Sequence, residues 1–350
     1  MTAEAASKVW IVAPSYCDVA SFLKLRDAVR DALATIPALA GAAVHFVLVD
    51  DSAGLDPGAA ALAESADTTL LTVPFNLGHQ RAIVYGLRRL APAVAESDVV
   101  VTLDSDGEDQ PADLPRLIAA LLDDRQGLRR IVLARRTHRK ESLSFKVLYR
   151  AFRIVFRVAT GTVVNSGNYA AYRGWFVRQV LPHPFFDLCY SSSLLALGME
   201  PVFVSCARGT RYVGTSRMNM QRLIAHGFRM LMPFLDRIAI RALTAFSLVF
   251  AAACIGALAI VGGRATGLIT VPGWSTSTLL LAGLASLMAA GNAVVLFAAY
   301  THSHGLFLRG LEALDDGRAG AASDQAGGAA PPVLLAPAAV ASRGRPPASR

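Results

Sequence analysis

Val99-Val100-Val101-Thr102-Leu103-Asp104-Ser105-Asp106-Gly107-Glu108-Asp109-Gln110-Pro111 is a short apolar, β-branched run that breaks into four carboxylates within six residues. The apolar part reads as a buried strand and the polar part as the loop at its carboxyl end. That end of a strand is where an open α/β sheet binds its ligands. Carboxylates this close repel one another unless a cation lies among them. Oxygen-only ligands suit Mg²⁺ or Mn²⁺ shared with a substrate phosphate. The same spacing also suits a plain acidic helix start, because Asp and Glu favour the first turn of a helix opening near Pro111.

Outward from this stretch, strands and helices alternate. Residues 9–13 form a strand that ends at Pro14-Ser15-Tyr16-Cys17-Asp18, and a helix follows over 21–33 with Ser21 as its N-cap. A second strand, 44–49, ends in Asp50-Asp51-Ser52. A third, 69–74, leads into Phe75-Asn76-Leu77-Gly78-His79-Gln80 and a helix over 81–90. After the acidic stretch come a helix over 112–122 and a strand over 130–134. This alternation predicts a doubly wound α/β domain with a mostly parallel sheet. Asp50 and Asp51 end one strand, and Asp104 and Asp106 end another, which points to one shared polar site. No G-x-G-x-x-G follows the first strand and no Walker A lysine loop occurs, so dinucleotide and P-loop readings lose their main support.

Residues 135–160 are basic, with Arg135, Arg136, His138, Arg139, Lys140, Lys146, Arg150, Arg153 and Arg157 interleaved by apolar side chains. That pattern fits a solvated basic face whose stems lie on the core, or arginines that bind phosphate and anionic lipid headgroups. Asn165–Tyr172 reads as a polar, glycine-containing patch, and 202–204 as a further strand. Arg208, Arg211 and Arg217 then share a loop with Gly209, Gly214 and Ser216, the composition of an anion grip or of an ordinary surface loop.

Beyond this loop the composition changes. Residues 221–241 read as an amphipathic helix carrying Arg222, Arg229, Arg237 and Arg241, suited to a membrane interface. Residues 242–263 and 278–300 are uncharged stretches long enough to span a bilayer. Arginines gather before the first span and after the second, and the N-terminus lacks a signal-peptide pattern. Both ends are therefore expected in the cytoplasm and the chain in the inner (cytoplasmic) membrane. Gly256, Gly283 and Gly291 would permit close helix packing in a homo-oligomer. From about residue 317 the chain is Ala/Gly/Pro-rich and reads as a disordered tail.

The average over 350 residues hides this division: 53% hydrophobic, 17% charged, net charge +8. Such a basic chain could meet nucleic acid or an anionic membrane. No nucleic-acid-binding signature is visible, so the membrane is the expected partner. Four widely spaced cysteines, with no C-x-x-C pair, read as reduced thiols rather than as a zinc site or disulfide framework.

The order Pro14-Ser15-Tyr16-x-Asp18, Val49-Asp50-Asp51-Ser52, Asn76-Leu77-Gly78 and Leu103-Asp104-Ser105-Asp106 resembles the family-2 glycosyltransferases of the GT-A fold. The basic loop and paired apolar spans narrow the resemblance to polyprenyl-phosphate glycosyltransferases, the group of dolichol-phosphate mannose synthase and the GtrB-type enzymes. It covers about residues 8–300. It implies a catalytic domain over 1–220, an interfacial helix over 221–241, a transmembrane hairpin over 242–300 and a cytoplasmic tail over 301–350. It further implies a UDP- or GDP-sugar donor, a polyprenyl-phosphate acceptor and inversion at the sugar.

Residue by residue, the resemblance puts Pro14, Tyr16 and Asp18 in the nucleotide pocket, Asp18 standing where the family usually has Glu. Asp51, with Asp50 beside it, would meet the base or ribose. Asp104 and Asp106 would be the D-x-D pair, with Asp106 the direct ligand of Mg²⁺ or Mn²⁺ and Asp104 on the ribose or sugar side. Glu108 stands where relatives often carry Gln. Asn76, Gly78, Gln110 and Ser216 would complete the substrate contacts. Arg136 and Arg139, with Arg208, Arg211 and Arg217, would hold the phosphates of donor and lipid. Asn168 lies where many relatives carry an acid. Two rival readings remain: a glycosyltransferase with another lipid or a polysaccharide as acceptor, and a non-catalytic membrane scaffold of the same fold. Processive synthases carry a Q-x-x-R-W motif and more spans, and this chain shows neither.

Overall fold

The computed structural model describes residues 8–62, 65–123, 129–136, 143–199, 201–213, 220–268, 273–295 and 297–298. Arg139, Ser216 and Arg217, like the tail, lie outside the described residues. In chain order the strands are β1 (Lys8–Ser15), β2 (Ala43–Asp50), β3 (Thr68–Thr72), β4 (Val99–Thr102), β5 (Ile131–Arg136), β6 (Ser166–Arg173) and β7 (Val202–Cys206). The helices are α1 (Val19–Ala34), α2 (His79–Leu90), α3 (Leu114–Leu122), α4 (Leu143–Thr160), α5 (Gly174–Gln179), α6 (Phe185–Leu188), α7 (Tyr190–Ala196), α8 (Met220–Leu231) and α9 (Leu235–Ala265). A last helix, α10, covers Trp274–Val295.

The seven strands form one sheet in the order β3-β2-β1-β4-β6-β5-β7. Alternate residues of each central strand feed opposite layers. Val9, Ile11 and Ala13 of β1 pack towards α1 and α3 with Phe22, Leu25 and Leu117. Trp10 and Val12 pack towards α2 with Ile83, Leu87 and Tyr172. Both faces of the sheet are therefore apolar, which is why these strands read as continuous hydrophobic runs.

Three expectations need correction. The stretch Asn165–Tyr172, read as a polar patch, is mostly strand: Ser166–Arg173 is β6, antiparallel to both β4 and β5, in a sheet otherwise paired parallel. Its apolar half, Tyr169-Ala170-Ala171-Tyr172, is buried between those strands, which outweighs its polar start. Ser21 does not cap α1. The helix starts at Val19, whose N–H donates to the Asp56 carboxylate at 3.1 Å, and Ser21 is buried inside it. The expected helix over 221–241 breaks at Met232–Phe234, because Pro233 supplies no N–H to continue the ladder.

Below that break α9 joins the sheet domain. Phe234 is buried edge-on against Phe156 of α4 at 5.3 Å. Arg237 donates to Thr162 Oγ1 and to the Ala196 carbonyl, both at 3.1 Å, and Arg241 donates to the Val158 carbonyl at 3.0 Å. None of α9's 31 residues is buried. By length and composition α9 and α10 could each cross a membrane. At 1.5 Å per residue, the 22 residues of α10 reach about 33 Å, the thickness of a bilayer core.

Candidate active site

The carboxylates cluster at the carboxyl end of β4, as the sequence pattern predicts. Ser105 Oγ donates to the Pro14 carbonyl at 2.8 Å and ties this loop to the end of β1. The loop turns on itself at Gly107, whose φ of +88° favours glycine. Glu108 N–H donates to Asp106 Oδ1 at 2.9 Å, and Asp104 N–H donates to Asp109 Oδ2 at 3.1 Å. Four negative charges are thus folded into one small volume.

Four basic groups, from α2, β5 and the loop after β7, face them. His79, at the first position of α2, lies with Nε2 2.8 Å from Asp104 Oδ1. Arg136, at the end of β5, donates to Asp109 at 2.9 Å and to Asp104 at 3.5 Å. Arg208 pairs with Glu108, and Arg211 reaches both Asp106 (2.9 Å) and Glu108 (3.1 Å). Burial alone would raise Asp104, but His79, Arg136 and Asn168 hold it well below the usual carboxylate range. Burial and the neighbouring Asp104 charge push Asp109 up to about 6. Partial burial opposes charge on the His79 ring, yet Asp104, Asp106 and Asp109 outweigh it and raise the imidazolium's stability.

Asp50 and Asp51 serve the loops instead of pointing free. Asp50 accepts from the Ser52 N–H and hydroxyl and from the Gly54 N–H. Asp51 accepts from the N–H groups of Leu77 (2.6 Å) and Gly78 (3.0 Å), while Asn76 Nδ2 donates to the Asp51 carbonyl at 3.1 Å. Both carboxylates are buried; Asp50 fixes the turn after β2, and Asp51 fixes the turn that delivers α2 to the site. Pro14 is buried at the end of β1, Tyr16 is exposed, and Asp18 precedes α1. Gln110 closes the acidic loop, its carbonyl accepting from Tyr169 Oη at 3.1 Å.

Sequence reasoning left His79, Gln80 and Tyr212 without a role. Gln80 Oε1 accepts from the Ser191 N–H at 2.9 Å, so its Nε2 donates to Asn168 Oδ1. That polarity turns Asn168 Nδ2 towards Asp104 Oδ1, 3.1 Å away. An amide fits where a second acid would repel Asp104. Tyr212 lays its ring over Gly107, where an added Cβ would stand 2.7 Å from the ring. Only the position of His79 and Gln80, opening a helix after Gly78, could have signalled the first two.

The donor set suits a divalent ion. Burial, then the charges of Asp104 and Glu108, hold Asp106 above the ordinary carboxylate range even with Arg211 beside it. Hard carboxylate oxygens are the ligands Mg²⁺ and Mn²⁺ take. Among the described residues no group of three or more His, Cys, Asp or Glu is arranged to hold an ion, so further ligands would come from phosphate or water.

Residues 12–179 match the sequence model of Glycosyl transferase family 2. Undecaprenyl-phosphate 4-deoxy-4-formamido-L-arabinose transferases of Yersinia pestis (strain Pestoides F) and Yersinia pseudotuberculosis (serotype O:3, strain YPIII) are each 25% identical over 235 residues, 63% of this chain. The chain spans 65% of the length of these curated relatives. Glucosyl-3-phosphoglycerate synthase from Mycobacterium tuberculosis, solved with Mn²⁺, UDP and phosphoglyceric acid, is 18% identical with a TM-score of 0.44, covering 67% of this chain and 80% of that one. Mannosyltransferase PcManGT from Pyrobaculum calidifontis, in complex with GDP-Man and Mn²⁺, is 15% identical with a TM-score of 0.39, covering 83% and 87%.

Proposed function

We propose, for a chain that carries a family-2 glycosyltransferase domain, that it moves a sugar from a UDP- or GDP-linked donor to a polyprenyl phosphate in the membrane. The observation that carries this reading is the meeting of Asp104, Asp106 and Glu108 with Arg136, Arg208 and Arg211 at the carboxyl end of the central strand β4. The same chain holds two helices long and apolar enough to reach the lipid phase. The acceptor in the name of the Yersinia relatives, undecaprenyl phosphate, supports the choice of lipid.

Asp104 and Asp106 would hold the Mg²⁺ or Mn²⁺, with Asp106 the direct ligand. When bound, the ion supplies Lewis-acid charge for the departing diphosphate. Arg136, Arg208 and Arg211 supply planar guanidinium donors suited to phosphate oxygens of donor and acceptor, and Arg139 and Arg217 are assigned the same task from their place in the sequence. A lipid phosphate oxygen is a competent nucleophile at neutral pH, so the site needs no strong base. It bonds to the anomeric carbon as the bond to the nucleoside diphosphate breaks, and the electron pair leaves with the diphosphate. This single in-line displacement inverts the sugar. What the chain's residues contribute is position and fixed positive charge.

Residues 1–220 would then form the cytoplasmic catalytic domain, 221–241 the interfacial segment, 242–300 the transmembrane hairpin and 301–350 the cytoplasmic tail. The surface of α4 supports this placement: Arg153 and Arg157 stand exposed beside exposed Ile154, Val155 and Val158, as anionic headgroups require. The test is a transfer assay in detergent with Mn²⁺ or Mg²⁺, polyprenyl phosphate and a panel of radiolabelled UDP- and GDP-sugars. Label entering the organic phase only with metal supports the proposal. Donor hydrolysis without lipid labelling overturns the acceptor, and no binding of any donor favours a scaffold.

A further inference from the structure

We infer that Glu108 is a latch: it holds Arg208 and Arg211 away from the phosphate site, so that metal and donor diphosphate bind as a coupled pair. The inference rests on the donor reading above and concerns how that site fills.

Two loops a hundred positions apart are zipped together here. Asp109 and Arg208 form an antiparallel bridge, the Gly209 N–H donates to the Glu108 carbonyl at 2.8 Å, and the Tyr212 N–H donates to the Asp106 carbonyl at 2.8 Å. The Tyr212 ring lies in the space that Gly107 leaves open. On this backbone zipper the side chains pair off. Glu108 takes Arg208 on one oxygen and Arg211 Nε on the other at 3.1 Å. Arg211 Nη2 takes Asp106 Oδ2 at 2.9 Å, while Asp106 Oδ1 already accepts the Glu108 N–H.

A diphosphate arriving alone meets arginines already engaged, with the charges of Asp106 and Glu108 behind them. A divalent ion arriving alone must displace Arg211 from Asp106 and leave that guanidinium short of a partner. Together they make a balanced exchange. Asp106 trades Arg211 for the metal, and Arg211 trades Asp106 for a phosphate oxygen. Charge-assisted hydrogen bonds are then swapped instead of lost. Coupling of this kind is reciprocal, so each ligand raises the affinity for the other by the same factor. Glu108 sets the size of that factor because it grips both arginines. A Gln there keeps the shape and drops the charge.

The experiment uses the full chain in detergent, with Mn²⁺, UDP and GDP as probes, and compares wild type with Glu108→Gln by calorimetry. Wild type should bind nucleotide at least about tenfold tighter with Mn²⁺ than without it. In Glu108→Gln the metal-free affinity should rise about tenfold, one charge-assisted bond regained, and the coupling should shrink by the same factor. In parallel, trypsin applied without ligands should cut the variant faster after Arg208 and Arg211. A folded variant with wild-type metal-free affinity, coupling and cleavage rate overturns the latch. If neither nucleotide binds wild type with or without Mn²⁺, the donor reading fails, and unchanged cleavage in Glu108→Gln then overturns the latch on its own. Should Glu108→Gln fail to fold, Arg208→Gln removes the other half of the pair and must speed cleavage after Arg211.

Discussion

Substituting Gly86 by Ala tests how tightly α2, which carries His79 and Gln80, is held to the sheet. A Cβ at this position would stand 2.5 Å from Val49 Cγ2 and 3.2 Å from Val12 Cγ1, both on buried residues. Carbon atoms meet comfortably at about 3.5 Å or more, so helix and sheet must part by about 1 Å. The helix cannot slide freely, because Asp51 clamps the N–H groups of Leu77 and Gly78 at its entry. Overpacking of this kind costs about 1–3 kcal/mol. A contact of 2.5 Å belongs to the upper part of that range, about 2–3 kcal/mol, and the helix propensity gained over Gly returns about 1 kcal/mol. The net loss is therefore about 1–2 kcal/mol, or a melting temperature lower by about 3–6 °C for a domain of this size.

Activity should fall further than stability, by about tenfold or more in kcat/KM, because the shift moves His79 and Gln80 against Asp104 and Asn168. Adding Val49→Ala removes the nearest methyl. On its own that change costs about 1–3 kcal/mol, but the pair should lose less than the sum by about 1 kcal/mol or more. Denaturant melts of the four proteins, followed by fluorescence, give the cycle. A Gly86→Ala protein as stable as wild type, or strictly additive mutants, would refute the packing account.

Asp106→Asn should abolish metal-dependent transfer while the melting temperature stays near wild type, and near-normal turnover in a folded variant removes Asp106 from the metal site. Gln80→Leu leaves the Ser191 N–H and Asn168 Oδ1 without their partner, a cost of about 1–3 kcal/mol, and should lower kcat more than it raises KM. Unchanged kcat would show that the Asn168 orientation is irrelevant to the chemistry. Arg30→Ala should weaken the acid resistance of the β3 edge. Burial works to raise Asp67, but Arg30, Ser65 and Thr68 outweigh it and take the carboxyl from 3.8 down to about 2. A lowered folded pKa gives stability that is present above about pH 4 and lost as pH falls towards 2. The pair is largely solvated, so its loss amounts to less than about 1 kcal/mol. Acid-unfolding curves should separate above pH 4 and merge near pH 2, and a constant offset would contradict the assignment.

The parallel part of the sheet was legible because each strand is a β-branched run that stops at a polar cluster, and two of those clusters carry paired aspartates. β6 was not, because Asn165-Ser166-Gly167 begins it with turn chemistry, and only burial between β4 and β5 overrides that signal. Pro233 was readable in principle. Arginine periodicity on either side of it concealed the break, as the helical pattern resumes in phase. At the site, residue types were legible but partners were not. An aspartate at a strand end looks the same in sequence whether it faces a ligand or, like Asp51, satisfies backbone N–H groups. Nothing local to Glu108 announces that Arg208 and Arg211 arrive from a hundred residues away.

Those long-range partners also connect the site to the part of the chain that would face lipid. α8 packs on α7, and α7 begins at Tyr190, next to the Ser191 whose N–H fixes Gln80. Gln80 orients Asn168, and Asn168 donates to Asp104, so a continuous line of hydrogen bonds runs from the α7 N-terminus to the first aspartate of the pair. Tyr190 adds a second connection, its hydroxyl 2.9 Å from Thr102 Oγ1 at the end of β4. A displacement of α8 by a lipid would therefore press on α7 and on the groups that aim Asp104. An Asn at 168 keeps this line neutral. An acid there would place a fifth negative charge beside Asp104 and would have to share the His79 ring, whose Nε2 lies 2.8 Å from Asp104 Oδ1 and 2.7 Å from Asn168 Nδ2.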